Sequence, residues 1–316
     1  MHAVGIDIGG TKIAGALVDE LGNIVRESRV ATPAHDADAI ADAVVALIQE
    51  LSDRVQVVAA GVAAAAFVDS QRANILYSPN LPWRNEPIKA KIQSRLKMPV
   101  FIENDANAAG WAEYRFGAGI GAKHMVMLTI GTGVGGAVVV DGNLLRGGFG
   151  LGAELGHVPL NGGDRICGCG QIGCIEQYGS GTALLRSARE LVESGDPKGS
   201  RLATLSKEAG ELTGDQVYQA IVEKDTGALE LLAKLGDVLG RSVAGICAVL
   251  DPEMIIIGGG VSAAGNLLLD PIKASYEKHL PAAAFRPHAK FATAKFVNDA
   301  GVIGAADLAR IELRTR

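Results

Sequence analysis

Three of the chain's four cysteines fall within eight residues, CGCGQIGC at 167–174, and His157 stands ten residues before the first of them. Three thiolates and one imidazole make a complete tetrahedral set for Zn²⁺, and a shell closed by four protein ligands leaves no position for a reacting water. His157, Cys167, Cys169 and Cys174 are therefore candidate ligands of a structural rather than a hydrolytic metal. The Cys-x-Cys-x4-Cys spacing is neither that of a zinc finger nor the Cys-x-x-Cys of thioredoxin-like redox sites, and reactive or structural free thiols stand as the alternative. An iron–sulfur cluster would call for a fourth cysteine. Cys247 lies in an apolar, helix-like stretch and suits the core instead.

A second set of groups suits phosphate. VGIDIGGTKIAGALVD at 4–19 and VMLTIGTGVGGAVVVD at 126–141 match at a constant offset: apolar strand, Gly/Thr-rich turn, apolar strand, Asp, then a Gly-Asn turn. Rossmann and P-loop fingerprints run from the glycines into a helix. Here KIAGALV and GAVVV are small, β-branched and apolar, which predicts strands and puts the glycines at hairpin tips. There, backbone N–H groups of closely spaced glycines can reach phosphate oxygens. Turn geometry alone is the plainer explanation of such glycines, but two matched copies, with Thr11, Lys12 and Thr132, favour a shared nucleotide. Asp7 ends the first strand, where a carboxylate can hold Mg²⁺ directly or through water, or can merely cap the turn. The second copy has Thr129 there, so only one hairpin supplies a carboxylate.

The elements that must position these groups read as alternating α/β. Helices are expected at 36–53, 180–195, 225–249 and 301–313, with shorter helices and loops between 196 and 224. VQVVAAGVA, MPVFIEN and PEMIIIG are expected strands. PVFIEND delivers Asn104 and Asp105 to the start of the helix DANAAGWAEYRFG, where either residue is a candidate N-cap. With 316 residues, 48% of them hydrophobic and 21% charged, the chain can build two domains. AGIGA near 118–122 is the expected hinge. Its 41 glycines and 4% aromatics suit tight strand-to-helix turns, and a net charge of −5 excludes a general nucleic-acid binder. The longest apolar run, VQVVAAGVAAAAFV, is short and interrupted, so no membrane span is expected. Nothing resembles a signal peptide, and four cysteines do not make a secreted disulfide scaffold, so a cytoplasmic protein is expected.

DIGGTK, ENDANAAGWAE, GTGVGGA, GAELGH, CGCGQIGCIEQYGSG and GGGVS occur in the order expected of the ROK family of repressors, open reading frames and sugar kinases. The resemblance spans nearly the whole chain and is strongest to the family's bacterial ATP-dependent glucokinases. It implies a two-domain actin-like ATPase (ribonuclease H-like) α/β fold with a duplicated core and an interdomain active-site cleft. One lobe would comprise 1–118 plus the C-terminal helix 299–316, on the sugar and phosphate side. The other, 119–298, would carry nucleotide, zinc and the dimer contact. The implied reaction is transfer of the γ-phosphoryl group of ATP, with Mg²⁺, to the 6-hydroxyl of glucose. Gly9, Gly10, Thr11, Gly131, Thr132 and Gly133 would face the phosphates. Gly5, Asp7, Lys12, Gly135 and Gly136 would lie on the same nucleotide side, and Gly258, Gly259 and Gly260 would form the adenosine-side turn. Asp105 would be the general base, within about 2.6–3.2 Å of the attacking hydroxyl in the closed complex.

The same resemblance makes Asn104, Asp105, Glu154, His157 and Glu176 hexose contacts, with Asn80 in YSPNLPW a weaker one that an Asx turn would also explain. A polyhydroxylated ligand requires such convergence, because an unpaired buried donor or acceptor costs about 1–3 kcal/mol. It also makes the cysteine set a structural Zn²⁺ site and directs the second ring nitrogen of His157 at the sugar. One departure stands out. Many relatives carry a Pro-Gly or Ala-Gly pair before the VD of the sugar loop, whereas this chain has Ala65 and Ala66, which puts the loop's backbone and epimer choice in question.

The rival substrates are mannose, N-acetylmannosamine, N-acetylglucosamine, fructose and allose, with polyphosphate a rival donor. A ROK repressor would need a winged-helix domain ahead of the first hairpin, which begins at residue 4. A non-catalytic sugar sensor would not need both hairpins with Asp7 and Asp105. A homodimer and sugar-driven closure of the lobes complete the expectation, with hexose and ATP as partners and no nucleic acid or membrane.

Overall fold

The computed structural model describes residues 1–79 and 81–314; Asn80 lies outside the described residues. The chain divides into two compact units, Met1–Val126 with Gly136–Glu154 and Lys295–Arg316, and Met127–Gly135 with Leu155–Ala294.

The first unit is built on strands β1 (His2–Ile8), β2 (Lys12–Val18), β3 (Ile24–Ala31) and β4 (Val57–Ala64), with helix α1 (Ala37–Leu51) between the last two. There follow β5 (Phe67–Val68), β6 (Ile75–Tyr77), β7 (Arg84–Glu86), α2 (Ile88–Gln93), β8 (Val100–Asn104) and α3 (Asp105–Phe116). The main sheet has the order β3-β2-β1-β4-β8. The β1–β2–β3 meander is antiparallel, and β4 and β8 join in parallel. β5, β6 and β7 form a small antiparallel sheet.

Asp36 caps α1 by accepting from the backbone N–H groups of Asp38 and Ala39. That helix buries Ile40, Val44, Leu47, Ile48 and Leu51 in the same core as Val4, Ile6, Ile8, Ile13 and Leu17 of β1 and β2. The C-terminal helix Ala300–Arg314 packs on β1, β4 and α3. Glycines make that contact possible. A Cβ at Gly5 would overlap the carbonyl oxygen of Val302, one at Gly61 that of Ala305, and one at Gly304 that of Ala108.

In the second half of the chain a sheet of order β11-β10-β9-β12-β13 comprises β9 (Met125–Ile130), β10 (Val134–Val140), β11 (Asn143–Leu144), β12 (Met254–Gly258) and β13 (Lys290–Thr293). Its ranks run third, second, first, fourth, fifth, as in the first sheet. The sequence repeat is thus a repeat of topology. Six α-helices lie in the second unit: α4 (Glu176–Gly179), α5 (Gly181–Glu193), α6 (Ser200–Ala209), α7 (Gly214–Val222), α8 (Thr226–Leu250) and α9 (Asn266–His279).

The expected long helices and strands are present within a few residues of their predicted ends. Sequence reading missed α9, whose apolar positions are interrupted by Pro271, and the small β5–β7 sheet, whose strands of two or three residues carry no readable alternation. No described helix is long and apolar enough to cross a membrane.

Candidate functional site

In the first unit, β1 and β8 end near one another and deliver Asp7 and Asp105. Each carboxylate keeps part of its surface open yet is ringed by protein. Burial first, and then the charge of Asp105, push Asp7 from its ordinary 3.8 up to about 7, while Lys12 opposes the rise. Burial likewise pushes Asp105 up, against hydrogen bonds from the backbone at 105 and 106. A buried carboxylate that a neighbouring one pushes up further is a group that a cation would stabilise. Asp7 also lies against the start of the C-terminal helix, where a Cβ at Gly301 would come within 2.5 Å of its Oδ2.

Asn104 is the N-cap of α3. Its Oδ1 accepts from the N–H of Asn107 at 3.0 Å, and its Nδ2 donates to the carbonyl of Ala66 at 3.2 Å. One amide hydrogen remains for a ligand. The bond to Ala66 ties the end of β8 to the AAAAFVD segment, and Ser78 Oγ, fully buried, donates to the carbonyl of Ala65 at 3.0 Å. Neither Ala65 nor Ala66 has positive φ. The backbone of this loop therefore does not require glycine at either position.

The first Gly-Thr turn is closed by Gly9 N donating to Lys12 O at 3.0 Å and is held from outside by Thr32 Oγ1 donating to Gly9 O at 2.7 Å. Gly10, Thr11 and Lys12 are exposed at its tip. In the second turn Gly131 N donates to Gly133 O at 3.0 Å, and Thr132 is exposed. Not all the glycines expected to serve the nucleotide lie at these tips. Gly5 sits inside β1 against the C-terminal helix, and Gly135 and Gly136 lie within β10. Theirs are strand positions, and the missing Cβ of Gly5 makes room for the C-terminal helix.

The second unit also carries an apolar slot. Leu184, Leu185, Val217, Tyr218 and Ile221 form its walls, and Gly131, Thr132, Gly181 and Gly260 lie along its end. A flat heterocycle fits such walls while its phosphates meet the glycine turn. Gly259, at φ +82°, passes so close to Ile130 that a Cβ would come within 2.5 Å of its backbone, and Gly258 abuts Met127. Around Gly260 there is open space, so it alone of the three faces the slot.

The four proposed metal ligands come together: one donor atom from each of His157, Cys167, Cys169 and Cys174 lies within 4.8 Å of all the others. His157 Nδ1 is 3.6 Å from Cys167 Sγ, and Cys169 Sγ is 3.6 Å from Cys174 Sγ. Tetrahedral zinc with Zn–S near 2.3 Å and Zn–N near 2.0–2.1 Å sets its ligand atoms roughly 3.5–3.8 Å apart, so these residues fit the ion. All four cysteines of the chain are free thiols. Burial, reinforced by the neighbouring thiols, pushes Cys174 up to about 12, and burial leads the rise at Cys167 as well. Bridges Pro159–Cys174 and Ile166–Ile172 fold the loop, and Tyr178 Oη accepts from the N–H groups of Asp164 and Arg165 at 2.6 and 2.8 Å.

Glu176 joins this cluster to the second glycine turn. Its Oε2 accepts from Val134 N at 3.1 Å, and its Oε1 takes a long contact of 3.7 Å from Cys167 Sγ. A Cβ on Gly133 would overlap the carboxylate. Sequence reading anticipated Glu176 as a sugar contact but not this bond. It also missed the slot residues, Tyr178, and an ion pair between buried Glu103 and half-buried Arg146 beside Asp105. The one local signal was Glu103 itself, a charge inside the apolar strand PVFIEN; nothing near Arg146 points to it. Glu154 lies at the end of the first unit's loop 146–154, directly after Ala153 at φ +69°.

The ROK family model matches residues 3–312. A glucokinase of Streptomyces coelicolor is 40% identical over 97% of both chains, and an N-acetylmannosamine kinase of Salmonella heidelberg is 33% identical over 98% of this chain and 99% of its own. Among solved structures, a ROK family glucokinase from Streptomyces griseus in complex with glucose and AMPPNP superimposes with a TM-score of 0.88. It is 42% identical and is matched over 98% of this chain and all of that one.

Proposed function

The chain belongs to the ROK family and has its two-domain actin-like ATPase fold, and on that premise we propose that it is a glucokinase, transferring the γ-phosphoryl group of ATP to the 6-hydroxyl of glucose. Asp105 carries the reading: a partly accessible carboxylate at a helix start, pushed up by burial, is poised to take a proton from a hydroxyl. Its ionised form accepts the 6-OH proton as the oxygen attacks phosphorus, and the bond to the β–γ bridging oxygen breaks to release ADP. Asn104 offers its remaining amide hydrogen to the sugar, with Glu154, His157 and Glu176 as further hexose contacts. The apolar slot holds adenine, and the Gly9–Thr11 and Gly131–Gly133 turns receive the phosphates through backbone N–H groups.

Asp7 is the residue that would hold Mg²⁺, whose bound charge neutralises phosphate oxygens. His157 Nδ1 and the three thiolates would hold zinc, which would supply rigidity and leave Nε2 as the edge of His157 for a sugar hydroxyl. Mannose, N-acetylmannosamine, N-acetylglucosamine, fructose and allose are the alternative acceptors, polyphosphate is the alternative donor, and a homodimer belongs to the same reading.

The test is ADP release coupled to each sugar with ATP, and phosphorylated product with polyphosphate. Glucose with ATP should give the highest kcat/KM, and Asp105→Asn should lower kcat by about 10²–10⁴-fold, the range for a lost general base. A higher kcat/KM on N-acetylmannosamine, or an unimpaired Asp105→Asn, would overturn the reading.

A further inference from the structure

We infer that the ion pair between buried Glu103 and half-buried Arg146 positions the Asn104–Asp105 corner against the loop that presents Glu154, so that both are positioning residues for sugar phosphorylation. The inference rests on the roles given above to Asp105 and Glu154.

Glu103 is the penultimate residue of β8 and only 5% exposed. Its two oxygens divide their work. Oε1 accepts from the backbone N of Asn104 at 3.1 Å and from Nδ2 of Asn107 at 3.2 Å. These bonds fasten the carboxylate to both sides of Asp105. Oε2 accepts from Arg146 Nε at 2.8 Å and lies 2.7 Å from Arg146 Nη2. A buried carboxylate is tolerated when it is paired and hydrogen-bonded, but an apolar residue would serve the strand as well. What an apolar residue cannot do is bond a strand-to-helix corner on one side and a separate loop on the other.

That loop is itself constrained. Gly152 N donates to the carbonyl of Arg146 at 2.8 Å, closing 146–152 on itself. Gly150, at φ +86°, lies flat on the backbone of 68–70, where a Cβ would come within 2.6 Å of Ser70 N. Ala153 then takes a left-handed φ of +69° immediately before Glu154. A non-glycine residue persists in that region only when its surroundings over-determine it. Arg146 anchors one end of this loop, Gly150 its middle, and Glu154 is what the loop presents. Glu103 thereby ties the base and a sugar carboxylate into one rigid constellation, within one unit of the chain.

The test uses the full chain and compares Arg146→Met, Arg146→Lys and Glu103→Gln with wild type for kcat, glucose KM, ATP KM and melting temperature. Arg146→Met should lower kcat/KM for glucose by about 10²-fold, the cost of a misplacement near 1 Å, with ATP KM within about twofold of wild type. Arg146→Lys keeps the charge but not the fork, and should recover part of the loss. Because a single buried charge left unpaired can unfold the chain, the neutral double variant Glu103→Gln/Arg146→Met is the second arm, expected to fold and still show the glucose defect. Wild-type kcat and glucose KM in a folded Arg146→Met or in the double variant would overturn the inference. So would a loss that merely follows the folded fraction while both KM values hold. A wild-type protein inactive on glucose would instead overturn the function on which it rests.

Discussion

Asp7 and Asp105 are costly residues to a folded chain without ligands, and the cost has a pH signature. Asp7 binds its proton more tightly in the folded state, at about 7, than at its ordinary 3.8. Between those values the folded form holds more protons than the unfolded one, so stability falls as pH rises through the window. The penalty is complete above 7 and absent below 3.8. Asp7→Asn should therefore be more stable than wild type at pH 8 by a few kcal/mol, at about 1.4 kcal/mol per pKa unit, and so melt higher there, and should lose that advantage near pH 4. Adding Mg²⁺ at pH 8 should raise the melting temperature of wild type but not of the variant, while kcat collapses in the variant. Equal melting at pH 8 would show that the carboxylate is not under this strain. The Asp at a strand end was legible; its partnership with a second Asp some hundred residues away depends on β1 and β8 ending together, which no local pattern records.

At the scale of elements, the cysteine loop and the second glycine turn are one device. Glu176 begins α4, two residues after Cys174, and its carboxylate reaches Val134 N at the start of β10, directly after the glycine turn. Loosening the loop would therefore disturb Glu176 and the second glycine turn together, the proposed sugar contact and phosphate turn. Treating the protein with a zinc chelator, or replacing Cys169 with Ser, should raise glucose KM about tenfold or more, the equivalent of one lost hydrogen bond at about 1.4 kcal/mol. Zinc content by mass spectrometry and protease cleavage within 158–175 should report metal loss and loop opening in the same samples. A zinc-free protein with wild-type glucose KM would separate the cluster from the sugar site. Here the sequence was informative because metal chemistry needs particular residue types, and three cysteines in eight residues are rare by accident. It was silent on Glu176–Val134 because a carboxylate that accepts a backbone N–H looks, in one dimension, like any surface glutamate. The slot walls were silent for the related reason that Leu184, Val217 and Ile221 sit at ordinary helical apolar spacing, and only the packing of α5 and α7 leaves a gap between them. The departure at Ala65 and Ala66 was legible in the sequence too, and the ordinary backbone at both positions shows that neither alanine is strained there.

Across the whole molecule, one topology is used twice with different equipment. Both sheets share an order and a glycine hairpin, which is why the duplication could be read from period and glycine spacing alone. Only the first copy carries a carboxylate at the end of its leading strand. The second has Thr129 and receives Glu176 from another segment. What no repeat predicted is how tightly the C-terminal helix lies on the first sheet. Gly5, Gly61 and Gly304 look like loose glycines in their strand or helix, yet each replaces a side chain that would collide with a backbone carbonyl. Backbone cannot step aside as a side-chain tip can. Gly15 provides the comparison, because a Cβ there would meet the Cδ1 atoms of Leu51 and Ile6 at 2.8 and 2.9 Å, both of them able to rotate away. Gly61→Ala should cost at least the roughly 1–3 kcal/mol of an overpacked core. At about 2–4 °C per kcal/mol for a chain of this order, its melting temperature should fall by roughly 3–10 °C, and that of Gly15→Ala by clearly less. Thermal unfolding of the two variants side by side decides the point. If Gly15→Ala were the more damaging, the close seat of the C-terminal helix would not be what the first unit depends on.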